Sequence, residues 1–274
     1  MVCLSGAALV LWLLGYPDQA LKRSQEALTL AQELSHPFSL AFALSIAAQL
    51  HQRRGERQAA QERAEATITL CTEQGFPSWL ALGTIYRGWA LAEQGQREEG
   101  MAQIHQGLAA YRATGAELRP SHLALLAEAY GKGGQVEEGV HELVEALAIV
   151  DKTGERFYEA ELYRLKGELV LNDERGTLND ELKTSSVHRS SFRIHRSEEA
   201  EACFHKAIDI ARRQSAKSLE LRAVMSLSRL WQTQGKKDEA RQMLAEIYGW
   251  FTEGFETKDL QEAKELLDSL GSSV

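Results

Sequence analysis

Turn-forming residues recur along this chain at a spacing of about 40. Gly15, Gly55, Gly95 and Gly134 are 40, 40 and 39 residues apart, and Gly235 follows after a further 101. Five positions after each comes a small residue: Ala20, Ala60, Gly100, Gly139 and Ala240. A second series trails the first by about 20 residues, at Ser35, Gly75, Gly115, Gly154, Ser215 and Gly254. Subtracting 20 from Ser215 places a concealed turn at His195, with Ala200 as its small residue. The long gap is then two periods plus an insertion of about 21 residues. A fixed period of this length marks a repeat architecture, in which one unit cannot bury its apolar face alone and must stack on its neighbours.

Between the turns the pattern is helical. Ala60, Ala64, Thr67, Ile68 and Cys71 fall at i, i+4, i+7, i+8 and i+11, and Val140, Leu143, Val144, Leu147 and Val150 repeat the stripe. Glycine suits helix ends, because it enters the left-handed region without steric cost. Each unit of about 40 residues therefore reads as a helical hairpin.

Composition agrees: 44% of residues are apolar but only 7% aromatic. Much of the apolar share is Ala and Leu, which favours helix. A net charge of −8 and a pI near 5.6 argue against nucleic acid as partner. Cys3, Cys71 and Cys203 form no disulfide framework and fit a reducing cytoplasm. The apolar start, Met1 to Leu14, lacks a basic n-region and a cleavage signal and is too short to span a bilayer. It reads as a buried helix, and no membrane association is expected.

The register resembles that of the tetratricopeptide family. Seven residues before the turns lie Ala48, Gly88, Ala127 and Ser228, with Gly167 counted from Glu174 in the stretched repeat, where that family places a small residue at a close helix crossing. Four before them lie Leu11, His51, Leu91, Tyr130 and Trp231, a less uniform match to its large apolar position. Nine after come Ser24, Ala64, Ile104, Leu143, Phe204 and Leu244, and twelve after come Ala27, Thr67, Gly107, Ala146, Ala207 and Ile247. The period is near 40 rather than 34, and the family's unit-closing proline appears only as Pro37, Pro77 and Pro120. The strings at 16–44, 111–118, 153–169 and 218–267 further resemble the C-terminal repeat region of bacterial multidomain proteins that carry an adenylate/guanylate cyclase and a predicted signalling ATPase. That resemblance implies a right-handed α-solenoid of about six tetratricopeptide-like hairpins, forming one domain over 1–274. It also implies that any cyclase or ATPase activity belongs to domains upstream of this chain. The chain opens at the edge of a repeat, as a piece of a longer solenoid would.

At the other end, Thr257 reads as the N-cap of a capping helix over about 257–270, with Leu260, Ala263, Leu267 and Leu270 on one stripe. The insertion, about 172–196, is polar, aperiodic and locally basic, and reads as an exposed loop or a docking segment for an acidic partner.

No catalytic constellation emerges. GKGG at Gly131–Gly134 lacks the Ser or Thr of a phosphate loop and follows no strand. His195, Glu199 and Cys203 would share a face on one continuous helix, but Ser197 reads as an N-cap that leaves His195 outside it. No metal, cofactor or catalytic residue is expected. The resemblance transfers the groove on the first helices of the hairpins to Gln49, Trp89, Glu128, Arg164 and Arg229. Their mixed charge points to a protein or peptide segment as partner, with upstream cyclase/ATPase domains as candidates. The reading is a non-enzymatic interaction scaffold, with a small-molecule effector sensor as the alternative.

Overall fold

The computed structural model describes residues 1–180 and 186–271, with side chains for 1–172 and 195–271. Among the described residues there are thirteen α-helices and no strand. Six hairpins follow one another: α1 (Val2–Leu13) with α2 (Pro17–Glu33), α3 (Pro37–Arg53) with α4 (Arg57–Gln74), α5 (Pro77–Glu93) with α6 (Arg97–Ala113), α7 (Pro120–Gly133) with α8 (Val136–Thr153), α9 (Glu159–Asp180) with α10 (Ser186–Arg213), and α11 (Lys217–Thr233) with α12 (Lys237–Tyr248). A last helix, α13, spans Lys258–Gly271. The fold is an all-α helical repeat.

Both turn series lie in the left-handed region. Gly15, Gly55, Gly95, Gly134 and Gly235 have φ between +74° and +94°, and the second series holds the same conformation even at Ser35 (+48°) and Ser215 (+54°). In the first series the N–H after the glycine donates to the carbonyl five residues back, as from Tyr16 to Leu11, Glu56 to His51, Gln96 to Leu91, Gln135 to Tyr130 and Lys236 to Trp231, each at 2.9–3.0 Å. This bond uses a carbonyl the ending helix would leave unpaired. The prolines take the first helical position of α2, α3, α5 and α7, where a missing N–H costs nothing. Pro37, Pro77 and Pro120 each stand at the boundary between two hairpins and open the first helix of the next, while Pro17 opens a second helix.

The small residues mark where paired helices cross. A Cβ on Gly139 would lie 3.1 Å from the Ala127 carbonyl oxygen, and Ser228 donates its hydroxyl to the Ala240 carbonyl at 3.3 Å. The residues nine and twelve after each turn are buried throughout, from Ser24 and Ala27 to Leu244 and Ile247.

The concealed turn at His195 does not exist. His195 and Ser197 lie inside α10, which begins at Ser186, so Ser197 is not an N-cap. With no glycine to break it, the helix runs back through the inserted sequence. The packing register nevertheless survives. A Cβ on Gly167 would lie 2.5 Å from the Phe204 ring, as one on Gly88 would lie 2.8 Å from the Ile104 nitrogen. The insertion expected over 172–196 falls on the end of α9 and the start of α10, and residues 181–185 lie outside the described residues. Val144, placed on the apolar stripe of α8, is exposed instead.

The chain forms two compact units. One holds residues 1–118 with 251–261, the other 119–250 with 262–274. The core of the first runs through Trp12, Leu50, Ile85, Tyr86 and Ile104, and that of the second through Leu123, Leu143, Leu162, Phe204 and Leu219. No described helix is long and apolar enough to cross a membrane.

Candidate partner-binding faces

In the first unit, Gln49 on α3 and Trp89 on α5 are both buried. Trp89 is 6% exposed, and its indole N–H has no hydrogen-bond partner. The aromatic surface of this unit lies elsewhere. Phe38 and Phe42 on α3 meet Phe76 and Trp79 at the start of α5, all edge to face, with ring centroids 5.2–5.9 Å apart. Phe38 remains 47% exposed. Sequence reasoning passed over this ledge, although Pro37–Phe38 and Phe76–Pro77 mark it at successive units. An α4–α5–α6 groove of about 390 Å³ adjoins it in sequence, lined by Ile68, Leu80, Thr84, Arg87 and Gln103.

In the second unit, the first helices of three successive hairpins build a charge cluster. The Arg164 guanidinium on α9 donates to both carboxylate oxygens of Glu161, each at 2.8 Å, and reaches Glu168 at 2.5 Å. Ser226 on α11 donates to the same Glu168 oxygen at 2.8 Å. Arg222, also on α11, lies 3.4 Å from Glu161, and Lys132 on α7 holds Glu128 at 2.8 Å. Glu161 is only 4% exposed and Arg164 11%.

Burial pushes the Glu128 carboxyl up, but Lys132, then Arg164 and Arg222, outweigh it and hold the group at about 2. Burial likewise raises Glu161, while Arg164 and Arg222 bring it below the usual carboxylate range against the opposing charge of Glu128. Desolvation disfavours charge on Arg164, but Glu161 and Glu168 more than compensate and raise its pKa. Three carboxylates therefore balance three cations. Arg222 and Ser226 tie α11 to α9 through Glu161 and Glu168.

Arg164 thus lies in a network that spans α9 and α11, Glu128 is held by Lys132 within electrostatic reach of it, and Arg229 stands apart on α11. Arg229 is 46% exposed and pairs with Glu262 at 2.9 Å. Sequence reasoning missed Glu161, Glu168, Arg222 and Ser226. The spacing of Glu161, Arg164 and Glu168 along one helix face was the available signal. The three residues weighed as zinc ligands do lie on one continuous helix, yet no described group of three or more His, Cys, Asp or Glu could hold a metal. Cys71 and Cys203 are buried free thiols, and burial pushes Cys71 up to about 11.

No protein-family model matches the chain. An uncharacterized protein of Rhizobium meliloti (strain 1021) is 25% identical over 167 residues, which are 60% of this chain and 16% of that protein. The chain therefore spans far less than the length of the curated relative it matches. Among solved structures it is similar to a Podosopora anserina putative kinesin light chain with nearly identical TPR-like repeats. One form is 21% identical, covering 78% of this chain and 95% of that one, with a TM-score of 0.48. Another is 20% identical, covering 87% and 99%, with a TM-score of 0.45.

Proposed function

We propose that this chain is a non-enzymatic scaffold that binds a protein or peptide segment through the first helices of its hairpins. The observation that carries the reading is the ledge of Phe38, Phe42, Phe76 and Trp79. A chain with 7% aromatic residues leaves four of them together and partly open on two successive hairpins. Aromatic side chains are the usual interface anchors, because they bury much area at small conformational cost. The five groove positions keep separate parts in this proposal: Arg229 and Glu128 offer charge at the surface, while Gln49, Trp89 and Arg164 shape it from beneath.

The resemblance to repeat regions of cyclase/ATPase signalling proteins supports a regulatory role within a larger bacterial protein, in the cytoplasm, with its own neighbouring domains as partners. The match to a small share of a longer relative fits that placement. The test is selection of peptides on the full chain, followed by calorimetry. Phe38→Ser with Trp79→Ser, at unchanged helicity, is expected to weaken the selected peptides at least tenfold. Equal binding by the folded double variant refutes the ledge as the binding face.

One observation favours a second reading. The α4–α5–α6 groove lies within the size range of small-molecule sites. A native-state ligand raises the melting temperature by mass action, so a thermal-shift screen with Arg87→Ala as control separates an effector sensor from a scaffold.

A further inference from the structure

Residues 251–261 come from the far end of the sequence, yet they belong to the compact unit of α1–α6. One oxygen of the Glu253 carboxylate accepts the backbone N–H groups of Asp18 and Gln19, both at 3.0 Å, and the other accepts the Gln19 amide at 3.0 Å. Both backbone donors sit in the first turn of α2, where N–H groups have no partner within the helix and the helix dipole favours an anion. The contact is reciprocal: the Gly254 N–H donates to the Asp18 carboxylate at 2.9 Å.

The receiving side is built as well. Buried Arg54 donates to the Pro17 carbonyl at 2.5 Å and lies 3.6 Å from Asp18, which orients the end of α2. Gly254, at φ +80°, sits so close over Pro17 that a Cβ there would collide with its ring. Lys258 covers Gly55, where a Cβ would lie 2.8 Å from the lysine's own, and its ammonium reaches Glu93 at 3.5 Å. Thr257 closes the turn, donating its hydroxyl and N–H to the Gly254 carbonyl at 2.6 and 2.8 Å. Phe251 and Leu260 are buried at either end of the segment.

We infer that the end of α2, the Arg54–Gly55 turn and Glu93 form a docking surface for a Glu–Gly turn, which this chain fills with its own residues 251–261 as a displaceable strap. The Glu253 hydrogen bonds and the Lys258–Glu93 pair are open to water, which competes for them, whereas the Gly254–Asp18 bond is partly covered. A second copy of this chain offers the same segment and competes for the surface, against the advantage that tethering gives the chain's own strap.

The test uses the full chain with Glu253→Arg, which sets a cation against the α2 dipole and opens the surface. A fluorescent peptide of residues 251–261 is added, and its anisotropy is followed. Binding at least tenfold tighter than to the unsubstituted chain, abolished when the peptide itself carries E253R, supports the strap. A folded variant that binds no better overturns it. If that variant does not fold, Glu253→Ala is followed by hydrogen exchange. Exchange at least tenfold faster at Asp18, Gln19 and Gly254 then supports the strap, and unchanged exchange overturns it.

Discussion

Gly88 on α5 and Gly100 on α6 meet backbone to backbone. A Cβ on Gly88 would lie 2.7 Å from the Gly100 carbonyl oxygen, and one on Gly100 would lie 2.5 Å from that of Gly88. The two residues are twelve apart across the Gly95 turn, the separation that also joins Ala127 with Gly139 and Ser228 with Ala240. Close approach of paired helices is thus a property of the repeat. It explains why so little of the apolar content is aromatic: large rings do not fit between helices at this distance.

Gly88→Ala is expected to destabilise the protein even though alanine is the better helix former by about 1 kcal/mol. The atoms in the way are backbone atoms, which cannot step aside as a side chain can. Overpacking of this kind costs about 1–3 kcal/mol or more. Denaturant unfolding measures the difference, and a variant more stable than the parent contradicts the crossing.

Ser35 and Ser215 hold a left-handed backbone that costs a residue with a Cβ about 1–2 kcal/mol. Ser35→Gly removes that strain but returns about 0.4–1 kcal/mol of entropy to the unfolded chain. The expected outcome is a gain of up to about 1.6 kcal/mol, read as a higher melting temperature. Ser215→Gly is expected to behave alike.

Glu128 makes stability depend on pH with a definite sign. Its folded-state pKa of about 2 lies below the ordinary 4.5, so its contribution is complete above pH 4.5 and fades as pH falls towards 2. Glu128→Gln is therefore expected to cost stability at neutral pH, with the gap to the parent closing between pH 4.5 and 2. Urea unfolding across that range checks it, and a gap independent of pH contradicts the assignment.

Removing Arg164 strands Glu161, which is buried and keeps the longer contact to Arg222. Arg164→Ala is expected to cost about 3–5 kcal/mol, the range for breaking a buried pair from one side. Arg164→Met together with Glu161→Leu is expected to recover most of that loss, because the two most buried charges of the cluster are then removed together. Equilibrium unfolding of the three proteins decides it.

The repeat could be read along the chain because its determinants are local. A left-handed turn needs glycine, or occasionally serine, at one place, and a close crossing needs small residues at set distances from it. Both demands leave residue types in register, so hairpins, their pairing and the buried positions nine and twelve after each turn followed from spacing, although Val144 did not. His195 shows the limit of that reading: counting back placed a turn where no residue type enforces one, and the helix continued.

The binding surfaces needed the folded chain. Trp89 and Phe38 are both aromatic residues on first helices, yet one is buried and the other exposed, according to how neighbouring helices cover them. The cluster around Arg164 draws on three helices whose charges pair through space. Glu253 reaches the start of α2 across 235 residues of sequence. Nothing within a helical turn of Glu253 encodes that contact. The physical reason is common to all three cases: local backbone conformation depends on neighbours in the chain, whereas burial and ion pairing depend on neighbours in space.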